Sequence, residues 1–353
     1  MKPSLVLSID AMGGDDAPDI VIDGAAHFLK DRRRSVGFLL HGDVARLQPL
    51  LDKAPDLKAV SEIRHTESEV DMSAKPSEAV RRSRGSSMWN AVQSVKAGEA
   101  QVAVSAGNTG ALMAISKVIL RMKPGVHRPA IAASWPAPEG FSTVLDVGAN
   151  VEITPAQLVE FAVLGEAFHR AVHGENRPTV GLLNVGQEEL KGSQMIRDAD
   201  AMLRQAGLDM DYRGFVEGDD ISAATTNVVV TDGFTGNVAL KTAEGTARLV
   251  GGWLRESLTT SLLGKAAAAL LSLGPLSSLR SKMDPRSVNG GVFLGLNGVV
   301  VKSHGGTDAI GFATSLRIAL EMADSQFLTE IENNLGRLSQ MDVEALAKEG
   351  QPA

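Results

Sequence analysis

Glycine turns that carry carboxylates, amides, hydroxyls and lysines recur along this 353-residue sequence, and each closes a short apolar run. DAMGGDDAP at 10–18 sets Asp10 at the end of such a run, with Gly13 and Gly14 permitting a tight turn. SAGNTGA at 105–111 places Ser105, Gly107, Asn108 and Thr109 where small residues let backbone N–H groups approach an anion at a helix start. LDVGAN at 145–150 carries Asp146 and Asn150, and NVGQEELKGS at 184–193 carries Lys191. TDGFTGNVALKT at 231–242 carries Asp232, Thr235, Asn237 and Lys241, and GLNGVVVKSHGG at 295–306 puts Lys302 and His304 beside a further glycine turn. Cations, amides and N–H donors at such turns hold and orient anions, phosphate above all. Taken singly, each turn also has a structural reading, in which Asp15 or Asp16 merely caps the next helix. The signal is the repetition.

Other chemistries lack their residues. The chain has no cysteine, which excludes disulfides, thiolate clusters and a cysteine nucleophile. The seven histidines form no HExxH, and His169 with His173, four apart, reads as a solvated helix face, so no metal site is expected. There is no GxSxG elbow, no Walker A ending and no GxGxxG fingerprint. The net charge of -7, from 42 acids and 35 bases, disfavours nucleic acid as a partner. Within that acidic chain, KPSEAVRRSRGSSMWNA at 75–91 concentrates Arg81, Arg82 and Arg84 with the hydroxyls of Ser86 and Ser87. Arginine forks suit phosphate, and a solvated helix face is the plainer reading.

The elements that must position these turns are legible as a pattern. Apolar runs at 5–10, 36–42, 100–107, 142–148, 179–186 and 227–233 alternate with segments of helical periodicity such as 155–173 and 192–206. Strands alternating with helices imply βαβ units and a mostly parallel sheet in an α/β fold. Ligands of such sheets bind beyond the carboxyl ends of the strands, where these turns fall. Glycine supplies 36 of the 353 residues, above the usual share of about 7%. Residues 246–282 carry no strand signal, and Leu254, Leu258, Leu262, Ala266, Leu270 and Leu273 recur at helical spacing up to Gly274 and Pro275. They read as a protruding pair of helices with an apolar tip, flanked by Lys265, Arg280 and Lys282. The pair serves either core or dimer packing, or contact with a membrane surface. Residues 1–330 read as a single catalytic unit and 331–353 as a polar tail. Without a secretory leader or an 18-residue apolar run, the expectation is a soluble cytoplasmic protein.

Seven of these stretches occur in a telling order: DAMGGD, SAGNTGA, LDVGAN, GLLNVGQE with KG, VEGDDI, DGFTGNVALKT and GGVFLGLNGVVVKSHG. Together, over about residues 4–320, they resemble the phosphate acyltransferase family of bacterial phospholipid synthesis, the PlsX proteins. Small departures are NVEITP after LDVGA and NVGQE where the family pattern has NIGEE. The resemblance implies a Rossmann-like αβα sandwich akin to the isocitrate dehydrogenase and phosphotransacetylase group. It implies transfer of a long-chain acyl group from acyl carrier protein to inorganic phosphate, with no cofactor. It also implies a homodimer, peripheral association with the inner face of the cell membrane through 246–282, and a functional link to a membrane glycerol-3-phosphate acyltransferase.

Within that resemblance Lys191 and Asn237 are the expected catalytic residues, contacting phosphate or oxyanion. Asp10, Gly13, Gly14, Ser105, Gly107, Asn108, Thr109, Asp146, Asn150, Asp232, Thr235, Lys241 and His304 are expected to bind or shape the substrate site. Phosphate is already an anionic nucleophile and a thiolate a good leaving group, so positioning and oxyanion stabilisation carry the chemistry. The acidic carrier is expected to dock on local basic clusters, either Arg81, Arg82 and Arg84 or Arg280, Lys282 and Arg286. Rival readings are an isocitrate-type dehydrogenase, a phosphotransacetylase using acyl-CoA, and a non-catalytic membrane scaffold.

Overall fold

A computed structural model describes residues 5–30, 35–208, 210–259, 286 and 289–324. The chain begins with β1 (Leu5–Asp10), α1 (Asp19–Lys30), β2 (Val36–Gly42), α2 (Val44–Asp52), α3 (Pro55–Lys58) and β3 (Ser61–His65). It continues through α4 (Pro76–Arg82), α5 (Ser87–Lys96), β4 (Val102–Ser105), α6 (Thr109–Leu120), β5 (Ala130–Pro136) and β6 (Phe141–Leu145). Then come α7 (Pro155–His173), β7 (Thr179–Leu183), α8 (Gln194–Gln205), β8 (Asp211–Val216), α9 (Gly218–Ala223) and β9 (Val228–Val230). The described part closes with α10 (Gly233–Thr259), β10 (Gly291–Leu294), β11 (Val299–Lys302) and α11 (Ala309–Asp324).

The strands form one sheet in the order β3-β2-β1-β4-β11-β10-β5-β6-β9-β7-β8. Two parallel blocks make it up, β3-β2-β1-β4-β11 and β6-β9-β7-β8. Between them β10 and β5 pair antiparallel with each other and with their outer neighbours. The parallel blocks match the expectation from alternation. The antiparallel junction is an addition, built from β5, of seven residues, and the shorter β10.

Successive strand residues face opposite sides, so each strand feeds two cores. Leu7, Ile9, Val102, Val104, Leu145 and Val228 pack with α1, α7, α8 and α11 on one face. Ala103, Ile131, Val144, Val229 and Val300 pack with α5 and α6 on the other. This is the αβα layering that the pattern of elements implies. The inner strands are almost wholly buried, as a sheet covered on both faces must be, while the edge strands β3 and β8 are more open.

The histidine reading needs correction. His169 is buried, with Nδ1 3.0 Å from the Thr143 hydroxyl and its ring 4.6 Å from that of His173. The cause is α7 itself, which runs against the sheet with an unbroken buried stretch from Leu158 to His169. Residues 246–259 do not start a new helix but continue α10, which runs unbroken from Gly233. Residues 260–282 of the expected helical pair, with Lys265, Arg280 and Lys282, lie outside the described residues, as does the tail at 331–353. Among the described residues no helix is long and apolar enough to cross a membrane.

Candidate active site

Three strand ends begin the site. Asp10 is in register with Ser105 on the next strand, and Ser105 with Lys302 on the strand after that. In-register residues of parallel neighbours face one side, so a carboxylate, a hydroxyl and an ammonium stand in a row. The Ser105 hydroxyl donates to Asp10 Oδ2 at 2.7 Å, and the Gly107 N–H donates to Ser105 Oγ at 3.0 Å. Burial pushes the Asp10 carboxyl above the usual range, against hydrogen bonds from Ser87, Ser105 and Met12 that pull it down. Gly13 is required by contact: a Cβ there would lie 2.4 Å from Asp10 Oδ2 and 2.8 Å from the Gly107 nitrogen.

The turn continues through Gly14, whose φ of 123° suits glycine, to Asp15, whose N–H donates to Gly305 O at 3.0 Å. The 13–16 turn and the 303–306 turn are thereby tied together. Asn108 caps α6 through the Ala111 N–H at 2.9 Å. Its amide donates to Met72 O at 2.6 Å and Ala74 O at 3.1 Å, fastening the loop that precedes α4. Thr109 is the first residue of α6. The expected basic patch separates by type: Arg81, Arg82 and Arg84 are exposed, whereas Ser86 and Ser87 are buried, Ser86 capping α5.

The second block contributes the ends of β6 and β9. Asp146 is fully buried and accepts N–H bonds from Ile131, Gly148, Ala149 and Asn150, and one more from the Asn150 amide. The Asn150 amide also donates to Pro129 O at 2.8 Å. Both side chains are committed to the fold of their own turn. Asp232 accepts from the Thr235 N–H at 2.8 Å and hydroxyl at 2.7 Å, capping α10. Gly236 packs so closely on this turn that a Cβ would lie 2.0 Å from Asp146 O.

Helix α10 joins the two blocks. Asn237, exposed, lies within 3.6 Å of where a Cβ on Gly148 would be. Lys241 is four residues on, hence on the same helix face about 6 Å away. Its ammonium is 2.9 Å from Glu244 Oε2 and 3.3 Å from His304 Nε2. His304 also takes the Gly306 N–H on Nδ1 at 3.3 Å. Burial and the Lys241 charge hold its imidazole below the usual range.

Lys191 stands in the β7–α8 loop, its ammonium 2.8 Å from Glu188 Oε1, which raises its pKa. Asn184 holds that loop by donating to Gly186 O at 3.0 Å and Lys191 O at 3.1 Å. Because β7 is the sheet neighbour of β9, this loop leaves the same edge as the Asp232 turn. The structure thus gathers Asp10, Gly13, Gly14, Ser105, Gly107 and His304 at one block's edge. Asp146, Asn150, Asp232, Thr235 and Asn237 gather at the other, with Lys241 between and Lys191 in the adjacent loop.

Lys302, noted beside the 295–306 glycine turn, is not among the expected site residues, and the register adds it. Its ammonium donates to Ala106 O at 3.3 Å and to Ser303 O. Burial pushes its pKa down to about 8, while Asp10 and Asp15 oppose the shift. The signal was its place at the end of an apolar run before Ser-His-Gly-Gly, the same grammar as Asp10 before its glycines. Cations and N–H donors over glycine floors can hold an anion and stabilise a developing oxyanion.

The chain matches the family described as "Fatty acid synthesis protein" over residues 5–330. A phosphate acyltransferase of Maricaulis maris is 62% identical over 344 residues, covering 97% of each chain. One from Caulobacter vibrioides is 56% identical over 351 residues, covering 99% of this chain and 97% of its own. In architecture the chain is similar to a phosphotransacetylase from Streptococcus pyogenes, with a TM-score of 0.61 at 17% identity over 90% of this chain and 94% of that one.

Proposed function

We propose, from the premise that the chain belongs to the fatty acid synthesis protein family and to its phosphate acyltransferases, that it moves a long-chain acyl group from acyl carrier protein to inorganic phosphate. A phosphate oxygen attacks the thioester carbonyl carbon, and the carbonyl oxygen takes up negative charge. Collapse breaks the C–S bond and releases the carrier's thiolate and an acyl phosphate. Neither a metal nor a strong base is required, because the nucleophile is anionic at neutral pH. The observation that supports this reading most is α10, on which Asn237 stands against Gly148 at one block's edge while Lys241 meets His304 at the other.

In this reading Lys191 and Asn237 contact phosphate or the oxyanion, Lys191 by charge and Asn237 by its amide. Asp10, Ser105 and Gly13 shape the floor, and the glycine turns present N–H donors. Asp146 and Asn150 act through the turn they hold rigid. Residues 1–330 serve as one catalytic unit. The exposed Arg81, Arg82 and Arg84 lie on and just past α4, beside the turn that Asn108 fastens, and suit docking of the acidic carrier. The protein works as a cytoplasmic homodimer at the membrane face, meeting lipid through 246–282 and passing acyl phosphate to a membrane glycerol-3-phosphate acyltransferase.

The test is an assay of acyl-phosphate formation with inorganic phosphate and either acyl carrier protein or acyl-CoA as donor. Formation from the carrier donor, lost in Lys191→Ala and Asn237→Ala proteins that remain folded, supports the reading. Wild-type rates in both variants sink the site assignment. A preference for acyl-CoA replaces the carrier with the donor of the phosphotransacetylase reading.

A further inference from the structure

We propose that Lys302 and Lys241 together form the seat for the phosphate group, one lysine from each side of the crevice. The proposal rests on the reading of the chain as a phosphate acyltransferase, and it names the group that holds the nucleophile there.

Lys302 ends β11 in register with Ser105, which is itself in register with Asp10. Its stem is partly buried beneath the 303–306 turn and its ammonium is anchored on Ala106 O, so the charge is fixed in place. The ammonium is held by two backbone carbonyls, with the carboxylates of Asp10 and Asp15 acting on it, and has a third N–H to give. Lys241 reaches the same place from α10, meeting His304 two residues beyond Lys302. The two ammonium groups repel each other, which adds to the fall in the Lys302 pKa, and both bear on His304 in the same sense.

Two lysines and an imidazole meet here, with Asp10, Asp15 and Glu244 around them. A dianion placed between the two lysines turns that repulsion into attraction. It also answers the donors around it. The neutral His304 ring has one acceptor nitrogen, yet the Gly306 N–H faces Nδ1 and the Lys241 ammonium faces Nε2. A phosphate oxygen accepting from Lys241 would leave the Nε2 proton free to donate to the same anion. The seat also draws on the register row: Asp10, with Asp15, favours the protonated form of Lys302, while the Gly13 and Gly107 backbones pack closely over Asp10 and Ser105 and hold the row rigid.

Binding of inorganic phosphate alone, followed by titration calorimetry, separates this seat from the reaction. Each of Lys241→Met and Lys302→Met should weaken phosphate binding about ten- to hundredfold, the range for losing one charge-assisted contact. In turnover the KM for phosphate should rise by a similar factor while the KM for the acyl donor stays put, and Lys302→Arg should recover part of the loss. Lys241 is exposed, so its variant reports even if Lys302→Met fails to fold. Unchanged phosphate affinity in Lys241→Met, or a loss confined to the acyl donor, overturns the seat. Lysine-dependent phosphate binding in a protein that makes no acyl phosphate from any thioester supports the seat and overturns the reaction instead.

Discussion

Ser105 donates its hydroxyl to Asp10 across two in-register parallel strands at 2.7 Å, and Gly13 closes the space directly over that bond. A methyl group at position 13 would press on Asp10 Oδ2 at 2.4 Å and on the Gly107 nitrogen at 2.8 Å. The backbone on one side and a buried carboxylate on the other leave it nowhere to go. Gly13→Ala should therefore cost about 1–3 kcal/mol of stability, the usual range for overpacking, and shift the Asp10 carboxyl. Gly245→Ala is the contrast. It lies within α10 with nothing near its missing Cβ, and should gain about 0.5–1 kcal/mol from helix propensity. Urea unfolding of both variants checks the pair; a Gly13→Ala protein as stable as its parent would refute the packing argument.

Asp146 presents a different use of a carboxylate. Its two oxygens accept four backbone N–H groups and one amide N–H, without exposure to solvent. Asp146→Asn replaces one oxygen by an NH2 that faces the Asn150 donors or the Ile131 and Ala149 donors. Buried donors left unmet cost about 1–3 kcal/mol each, and each oxygen meets at least two, so a loss of at least about 2 kcal/mol is expected. Activity should fall with it, since Gly148 meets Asn237 from this turn. Measured stability within about 1 kcal/mol of the parent would show that the turn relaxes around the amide.

These two carboxylates mark what the residue pattern could and could not reveal. Asp10 and Asp146 look alike in sequence, each closing an apolar run before glycine. Both positions were legible as strand ends because apolar runs and glycine punctuation follow from burial and backbone geometry. Whether a carboxylate faces a crevice or turns back onto its own backbone depends on the loop path, which leaves no periodic trace. The antiparallel junction was hidden for a related reason: no local pattern in β10 or β5 encodes the direction in which the strand runs. His169 was misjudged on its spacing from His173, although the apolar residues around it, from Phe161 to Phe168, already suggested burial on every side. Lys302 needed the register, because only alignment with Ser105 and Asp10 sets it apart from an ordinary loop lysine.

Burial of neutral histidines predicts a specific acid sensitivity. Burial, then the Arg64 charge, lowers His41 to about 4; burial, then the His173 charge, lowers His169 to about 4. The unfolded chain has the ordinary value near 6.5, so it binds protons first as pH falls. Stability should therefore decline from about pH 6.5 downward and level off near pH 4, by roughly 3 kcal/mol for each histidine. Urea midpoints at pH 7, 5.5 and 4.5 trace the decline, and His169→Gln should make it shallower. An unchanged slope in that variant would show that His169 does not titrate with unfolding.

Lys302 predicts the same sign of pH dependence in alkali. Burial above all, with the Lys241 charge adding to it and Asp10 and Asp15 opposing, lowers its ammonium to about 8. An unfolded lysine keeps its proton to about 10.4, so between those values the unfolded chain binds more protons than the folded one. Stability then rises with pH across that window, by up to about 3 kcal/mol for this group, and is flat in its contribution below pH 8. Phosphate affinity should move the other way, falling above pH 8 as the ammonium loses its charge. Comparing parent and Lys302→Met by urea unfolding at pH 7.5 and 9.5 isolates this group, since the remaining lysines and the tyrosine are common to both. The parent should gain stability relative to the variant as pH rises. A constant difference across that range would mean that Lys302 holds its proton as firmly in the folded protein as in the unfolded chain.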